Sequence, residues 1–483
     1  MLDRLAEYLS ADGALNNALS QVNDFLWGWN FHSIVVVLIL CGVYFTIRTR
    51  FVQFRMVPEM FRMLGESIPK GQSKHHISSF QAFSVSLATR VGTGNLAGVA
   101  GAIAVGGPGA VFWMWIIALI GAATAFVEST LAQLYKRRSG ESYIGGPAYY
   151  ILHGLHNKWM AALFAILITL TFGLSYNSIQ SNTIAEAMHG AFNFSPVIVG
   201  IILTALALVI VFGGIHRIAK VSTVIVPFMA IGYFLLALAI IIMNYDKIPQ
   251  VMGLIVDNAF GIDQMAGGMM GVAMREGIKR GLFSNEAGEG SAPNVAATAT
   301  VSHPVKQGLI QSLGVFTDTL LVCSCTAFII LLSGVYGTGG TEGIVMTQAA
   351  IESQIGPSGK IFVAIAILFF AFSSIIGNYY YGEANIRFMT KKRWVLTSFR
   401  VLSGGVMVML GAIASLKIVW NFGEVCMALI TLCNLVAIVL LGKYAFTLLN
   451  DYSKQKHAGK RSPEFDASIF PEIEKDLDAW IKK

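Results

Sequence analysis

The chain has 483 residues, 55% of them hydrophobic and only 13% charged, with a mean hydropathy of +0.64. A soluble domain carries about 25% charged residues, so this composition excludes a water-surrounded globule and calls for lipid around most of the chain. The net charge of +7 does not indicate nucleic acid, because the cations lie in loops between apolar runs rather than on one basic face.

Residues 1–29 are acidic and amphipathic (Asp3, Glu7, Asp12, Asp24) and are expected to lie along the outer membrane surface. They lack a positive n-region and a small-residue cleavage site, so no signal peptide is expected. A spanning helix needs about 20 apolar residues. Eleven runs qualify: 30–48, 80–104, 109–135, 159–186, 195–213, 219–243, 263–285, 308–334, 359–386, 394–416 and 419–447. They make a transmembrane domain over 30–450, followed by a charged cytoplasmic tail, 451–483. With the N-terminus outside, segments 46–79, 136–158, 214–220, 275–306, 387–400 and 443–483 face inward and hold 29 of the 34 Lys and Arg. The positive-inside rule therefore predicts N-out and C-in, in a bacterial inner (plasma) membrane. The five cysteines lie in apolar stretches and read as small buried hydrophobes.

The second span carries Ala88, Thr89, Arg90, Val91, Gly92, Thr93, Gly94, Asn95 and Gly98. Backbone freed in lipid must be satisfied by protein, water or an ion. Close helix packing accounts for Gly94 and Gly98, but not for Arg90 or Asn95, because ionisable groups at depth are costly and mark function. Glu128, in the third span, either caps a broken helix or neutralises Arg90. The fourth span holds Asn177 and Gln180, three apart and on one face. The seventh opens Gln264-Met265-Ala266-Gly267-Gly268 and is the second glycine-interrupted span. Counting the ten spans after the first, the interrupted ones are core helices 1 and 6, each opening a set of five. Such pairing points to an inverted-repeat transporter. Exposed half-helix amides suit a carboxylate, and freed carbonyls suit a cation. In the eighth span, Asp318 is as ambiguous as Glu128. The ninth places Ser373, Ser374 and Asn378 together, although serine hydroxyls also bond back to their own helix. His153, His156, His216 and His303 fall in inner loops and read as solvated.

Val91-Gly92-Thr93-Gly94-Asn95, the stretch Arg280 to Gly288 (RGLFSNEAG) with Gly290-Ser291-Ala292-Pro293 after it, and Tyr379-Tyr380-Tyr381-Gly382-Glu383 together resemble the alanine or glycine:cation symporter family over about residues 30–450. The resemblance implies an all-α membrane protein of the leucine-transporter type: one extra N-terminal helix plus a 5+5 inverted repeat with core helices 1 and 6 broken. It implies sodium (Na+) as coupling ion, held by carbonyls near Ala88 and Val91 and by the hydroxyls of Ser373 and Ser374, an oxygen set that suits a hard cation. The substrate carboxylate would meet the amides of Thr93, Gly94 and Asn95, and its amino group the carbonyls near Gly267 and Gly268. Asn177 and Gln180 would reach the same cavity, and Glu128 would brace the break in core helix 6. One departure stands out: alanine carriers of the family have a tryptophan where this chain has Asn378, so the pocket is expected to be roomier and more polar.

The expected activity is import of a small neutral amino acid with sodium, with glutamine or another small polar amino acid as the alternative. A channel would need a continuous polar stripe along several helices, and here the polar groups cluster at depth. No enzyme is expected, since no nucleophile and base lie at catalytic spacing. An amino-acid sensor without transport stays open. The expected partners are the amino acid, sodium and the lipid bilayer, with no obligate protein partner.

Overall fold

Backbone in lipid must hydrogen-bond within its own segment, and the apolar runs accordingly fold as helices. The computed structural model describes residues 13–28, 33–66, 77–212, 214–261, 267–337 and 342–481. Residues 1–12 of the expected surface segment, and Gln264, Met265 and Ala266, lie outside them. Besides two short helices, Val52–Arg55 and Pro147–Gly154, the α-helices are α1 (Ala14–Trp27), α2 (Ile34–Arg48), α3 (Val57–Leu64), α4 (Ser79–Arg90), α5 (Gly94–Gly106), α6 (Gly109–Leu134), α7 (Lys158–Phe192), α8 (Pro196–Val211), α9 (Gly214–Met243), α10 (Ile248–Phe260), α11 (Gly267–Asn285), α12 (Ala292–Ala296), α13 (Val305–Ser333), α14 (Gly343–Ile355), α15 (Ser358–Met389), α16 (Arg393–Ile413) and α17 (Leu416–His457).

Among the described residues, α6, α7, α13, α15, α16 and α17 are long and apolar enough to cross a membrane. A seventh candidate is the pair Phe228–Met243 and Tyr245–Phe260, bent by 77°. α2, α5 and α8 are shorter apolar helices. Local signals set the helix starts. Ser33 caps α2, a reciprocal Ser78/Gln81 capping box opens α4, and Asn157 caps α7, each satisfying amides that a helix start leaves free.

Two interruptions organise the centre. Val91, at ψ 91°, ends α4, and the chain resumes as a π-helical turn over Gly94–Gly98. The second lies between α11 and α12, where Glu286, Gly288 and Gly290 all take positive φ. This corrects the expected position: Gly267 opens α11 rather than interrupting it. Glycine alone does not break a helix when neighbours satisfy its backbone, whereas three left-handed residues in five end one outright. Further π-helical turns occur at Thr171–Tyr176 in α7, Phe316–Cys323 in α13 and Leu402–Val406 in α16, a feature frequent at functional sites.

The ends of α2 and α17 share one face, here the tail face. Residues after α17 fold back onto it: Trp480 Nε1 donates to the Gln133 carbonyl at 3.0 Å, Phe465 N to the Ser302 carbonyl at 2.9 Å, and Leu477 is buried. His303, expected to be solvated, is also buried there and pairs with Asp451 at 3.2 Å.

Candidate functional site

The break between α4 and α5 sits among α7, α11, α13 and α15. Asn95 closes it locally, accepting from Gly92 N at 2.8 Å through Oδ1. Its Nδ2 donates to Asp318 Oδ1 at 2.7 Å. Asp318 also accepts from Ser284 at 2.8 Å and Thr319 at 2.9 Å. This buried carboxylate thus ties the break to α11 and α13, a fully partnered network of the kind that fixes a buried geometry. Across the break, Gln180 Oε1 accepts from Thr93 N at 3.0 Å.

On the α15 side, Ser374 Oγ donates to the Ala88 carbonyl at 2.9 Å and to the Phe370 carbonyl at 3.1 Å. Ser373 Oγ donates to the same two carbonyls at 3.4 and 2.8 Å. Two hydroxyls and two carbonyls therefore converge where α4 ends, an all-oxygen set without net charge. Asn378 lies one turn further along α15, 1% exposed, with neither Oδ1 nor Nδ2 partnered among the described residues. The Thr93 hydroxyl is likewise buried without a partner.

Gly92 is required by this closeness. A Cβ there would lie 2.9 Å from Gln180 Oε1 and 3.2 Å from Ser374 Cβ, besides pressing on the Ser374 hydroxyl. Overpacking of this kind costs about 1–3 kcal/mol. Gly92→Ala is expected to lower the melting temperature of the detergent-solubilised protein by about 2–6 °C. An unchanged melting temperature would show that the junction has slack.

The second break is braced by Glu128. Its carboxylate accepts from Gly288 N and Gly290 N, each at 3.2 Å, and from Asn434 Nδ2 at 2.8 Å. Asn434 also donates to the Gly288 carbonyl at 2.8 Å and accepts from Tyr150. Nearby, Ser291 donates to Glu286 at 2.5 Å, and Tyr176 donates to Glu289 at 3.1 Å.

Several expected placements change. Arg90 makes no ion pair with Glu128 among the described residues. The last turn of α4 aims it at α13, where Nη1 donates to the Gln311 carbonyl at 3.3 Å. From there it acts electrostatically on Glu128, Glu286, Glu289 and Asp318. Asn177 turns away from the break and donates to Ser403 at 3.0 Å, because three residues along a helix leave a residual rotation of about 60°. Gly267 and Gly268 begin α11, whose broken end is at Asn285. The amides of Thr93 and Asn95 are both occupied, by Gln180 and by the Gly92 carbonyl at 3.3 Å.

The sequence reading missed the layers on either side of the buried site. Away from the tail face, Tyr176, Phe283 and Trp420 meet in succession with centroids 4.8 Å apart, the first pair edge to face and the second tilted. Arg280 lies 4.1 Å over Trp420 and pairs with Glu424 at 2.9 Å. Lys279 bridges Glu424 at 3.2 Å and Glu276 at 3.0 Å. These charges line a cavity of about 440 Å³ with Gly101 and Lys417. Arg275, Lys279 and Arg280 thus leave the expected inward set of cations. Toward the tail face, a second cavity of about 520 Å³ is lined by Tyr379, Tyr380, Glu383 and Tyr149. The spacing of Glu276, Lys279 and Arg280 within one apolar run was the available signal for the first layer. Asn434 alone in a long apolar run was the signal for the brace.

The junction at the first helix break is thus buried and oxygen-lined, with one cavity away from the tail face and one toward it. The chain matches, over residues 12–467, the family described as the sodium:alanine symporter family. It is 51% identical over 448 residues to the probable sodium/glutamine symporter GlnT of Bacillus subtilis, covering 92% of each chain. It is 34% identical over 432 residues to the sodium/alanine symporter AgcS of Methanococcus maripaludis, covering 88% of this chain and 94% of that one. Its fold resembles the crystal structure of MhsT in complex with L-phenylalanine at a TM-score of 0.55 and 13% identity, over 85% of this chain and 94% of that one. The match over nearly the whole length, joined to the break and its oxygen cluster, makes this chain a member of the sodium:alanine symporter family.

Proposed function

We propose that the chain imports a small neutral amino acid together with sodium across a bacterial inner membrane, N-terminus outside and C-terminus inside. The observation that carries the reading is the convergence of Ser373, Ser374 and the Ala88 and Phe370 carbonyls at the end of α4. Sodium would take these oxygens, with Val91 contributing its carbonyl. On this reading there are eleven crossings. α2 is the extra helix, and the ten core helices are α4 with α5, α6, α7, α8, α9, α11 with α12, α13, α15, α16 and α17. They form two sets of five in an inverted repeat. Gln180 Oε1 stands at Thr93 N, where a substrate carboxylate oxygen would bind, so substrate entry displaces it and brings the carboxylate to the Thr93, Gly94 and Asn95 amides. Sodium bound at the end of α4 orders the break, and by linkage each ligand raises the other's affinity. Core helices 1, 2, 6 and 7 then rock against the rest, opening the two cavities alternately.

Within this class, glutamine is the second reading, favoured by the unpartnered amide of Asn378 and by the GlnT relative at 51% identity. A buried amide with both ends open suits a substrate carrying its own amide. The test is uptake of labelled alanine by proteoliposomes, with and without a sodium gradient, in competition with a panel of amino acids. Glutamine is expected to compete in the native chain, and Asn378→Trp to weaken that competition about ten-fold while sparing alanine. If alanine or glycine competes and glutamine does not, the glutamine reading falls. If the sodium gradient has no effect, the symport reading falls.

A further inference from the structure

On the tail face, the ends of α2 and α17 enclose a groove of about 640 Å³ whose lining includes Arg48, Arg50, Arg55, Lys454 and His457 and no carboxylate. No ion pair joins any of these five to an acid among the described residues. Asp451, a carboxylate on which Lys454 acts, is already engaged by His303 and Gln455. Burial, and then the charge of Arg50, both make Arg55 a weaker base, as expected of cations crowded without an anion. The Ser453 hydroxyl in the same lining is buried and unpartnered among the described residues.

We propose that this groove binds the headgroup phosphate of an anionic phospholipid. A phosphodiester offers the oxygens that an arginine fork takes in pairs, and its charge would relieve the mutual repulsion of the cations. The rim fits acyl chains rather than water. Ile47 is 60% exposed and Phe51 53%, and both sit beside the arginines at the end of a membrane helix. Phe446 forms the floor, with Arg48 5.1 Å above its ring. Basic pockets between spanning helices are a recurrent seat for acidic headgroups, and the apolar rim sets this one apart from a site for a soluble anion. The inference rests on α2 and α17 crossing the bilayer. Its test does not use transport, so it and the symport reading fail separately.

The experiment takes the full-length protein, delipidated in neutral detergent, and adds phosphatidylglycerol, phosphatidylcholine with the same acyl chains, or inorganic phosphate. Native mass spectrometry counts bound lipid, and thermal unfolding reads stabilisation. Phosphatidylglycerol is expected to remain bound and to raise the melting temperature by about 3 °C, with the other two giving less than a third of that. Arg48→Gln with Arg50→Gln and Arg55→Gln should abolish the difference, and the corresponding triple Lys substitution should retain most of it. Lys454→Gln with His457→Gln approaches the groove from α17 and should halve it, which keeps the test independent of the folding of the arginine variant. An undiminished phosphatidylglycerol effect in both glutamine variants, equal retention of phosphatidylcholine, or full stabilisation by inorganic phosphate alone would each overturn the assignment.

Discussion

Replacing Ser373 and Ser374 together by alanine is expected to raise the sodium concentration for half-maximal uptake at least ten-fold. Each hydroxyl lies within hydrogen-bond reach of the Ala88 and Phe370 carbonyls, so the pair supplies half of the oxygens gathered at the end of α4. An interaction with a charged group contributes about 1.5–3 kcal/mol, and 1.4 kcal/mol is a factor of ten in affinity. The effect should fall on sodium dependence and reach the amino acid only through linkage. The apparent affinity for substrate should therefore recover at saturating sodium. Measuring uptake against sodium at several substrate concentrations separates the two. Unchanged sodium dependence would remove both residues from the ion site.

The largest structural effect is expected at Glu128. Its two oxygens satisfy Gly288 N, Gly290 N and Asn434 Nδ2, three donors that are all buried. Leaving buried donors unmade costs about 1–3 kcal/mol each. Glu128→Ala should abolish uptake and lower thermal stability markedly. Glu128→Gln keeps one acceptor oxygen but turns an amide donor toward a backbone N–H, so it should lose most uptake with a smaller loss of stability. A Gln variant that matches native protein in both would show the brace to be dispensable.

Much of this was legible in the sequence because lipid penalises polar groups so heavily. The interruption at Val91–Gly92, the pair Ser373 and Ser374, and Gln180 all announced themselves as polar residues inside apolar runs, and the structure brings them to one junction. Membership in a family of transporters agrees with the expectation that the chain is not an enzyme. The second break was misplaced because a run of glycines near Gly267 looks weak by propensity. The actual interruption depends on a side chain from another helix, Glu128, and on positive φ at Glu286, Gly288 and Gly290. Asn177 shows a related limit: spacing assigns a face, but only packing decides which neighbour that face meets. Arg90 has Glu128 as a candidate partner in the sequence, beside the alternative that Glu128 caps a broken helix. Its contact turned out to be a carbonyl of α13, which no hydropathy pattern marks.

The brace has a mechanical consequence for α17. Asn434 is tied to Glu128 on α6 and to the Gly288 carbonyl beyond α11, at 2.8 Å each, so sliding α17 past them would strand a buried carboxylate. Nearer its start α17 also packs on α7, where Gly423 lies against Ile179 and the Thr171 hydroxyl donates to the Cys426 carbonyl at 3.3 Å. The middle of α17 thus links α7 to α6 and to the second break, so none of the three can slide along it without breaking these contacts.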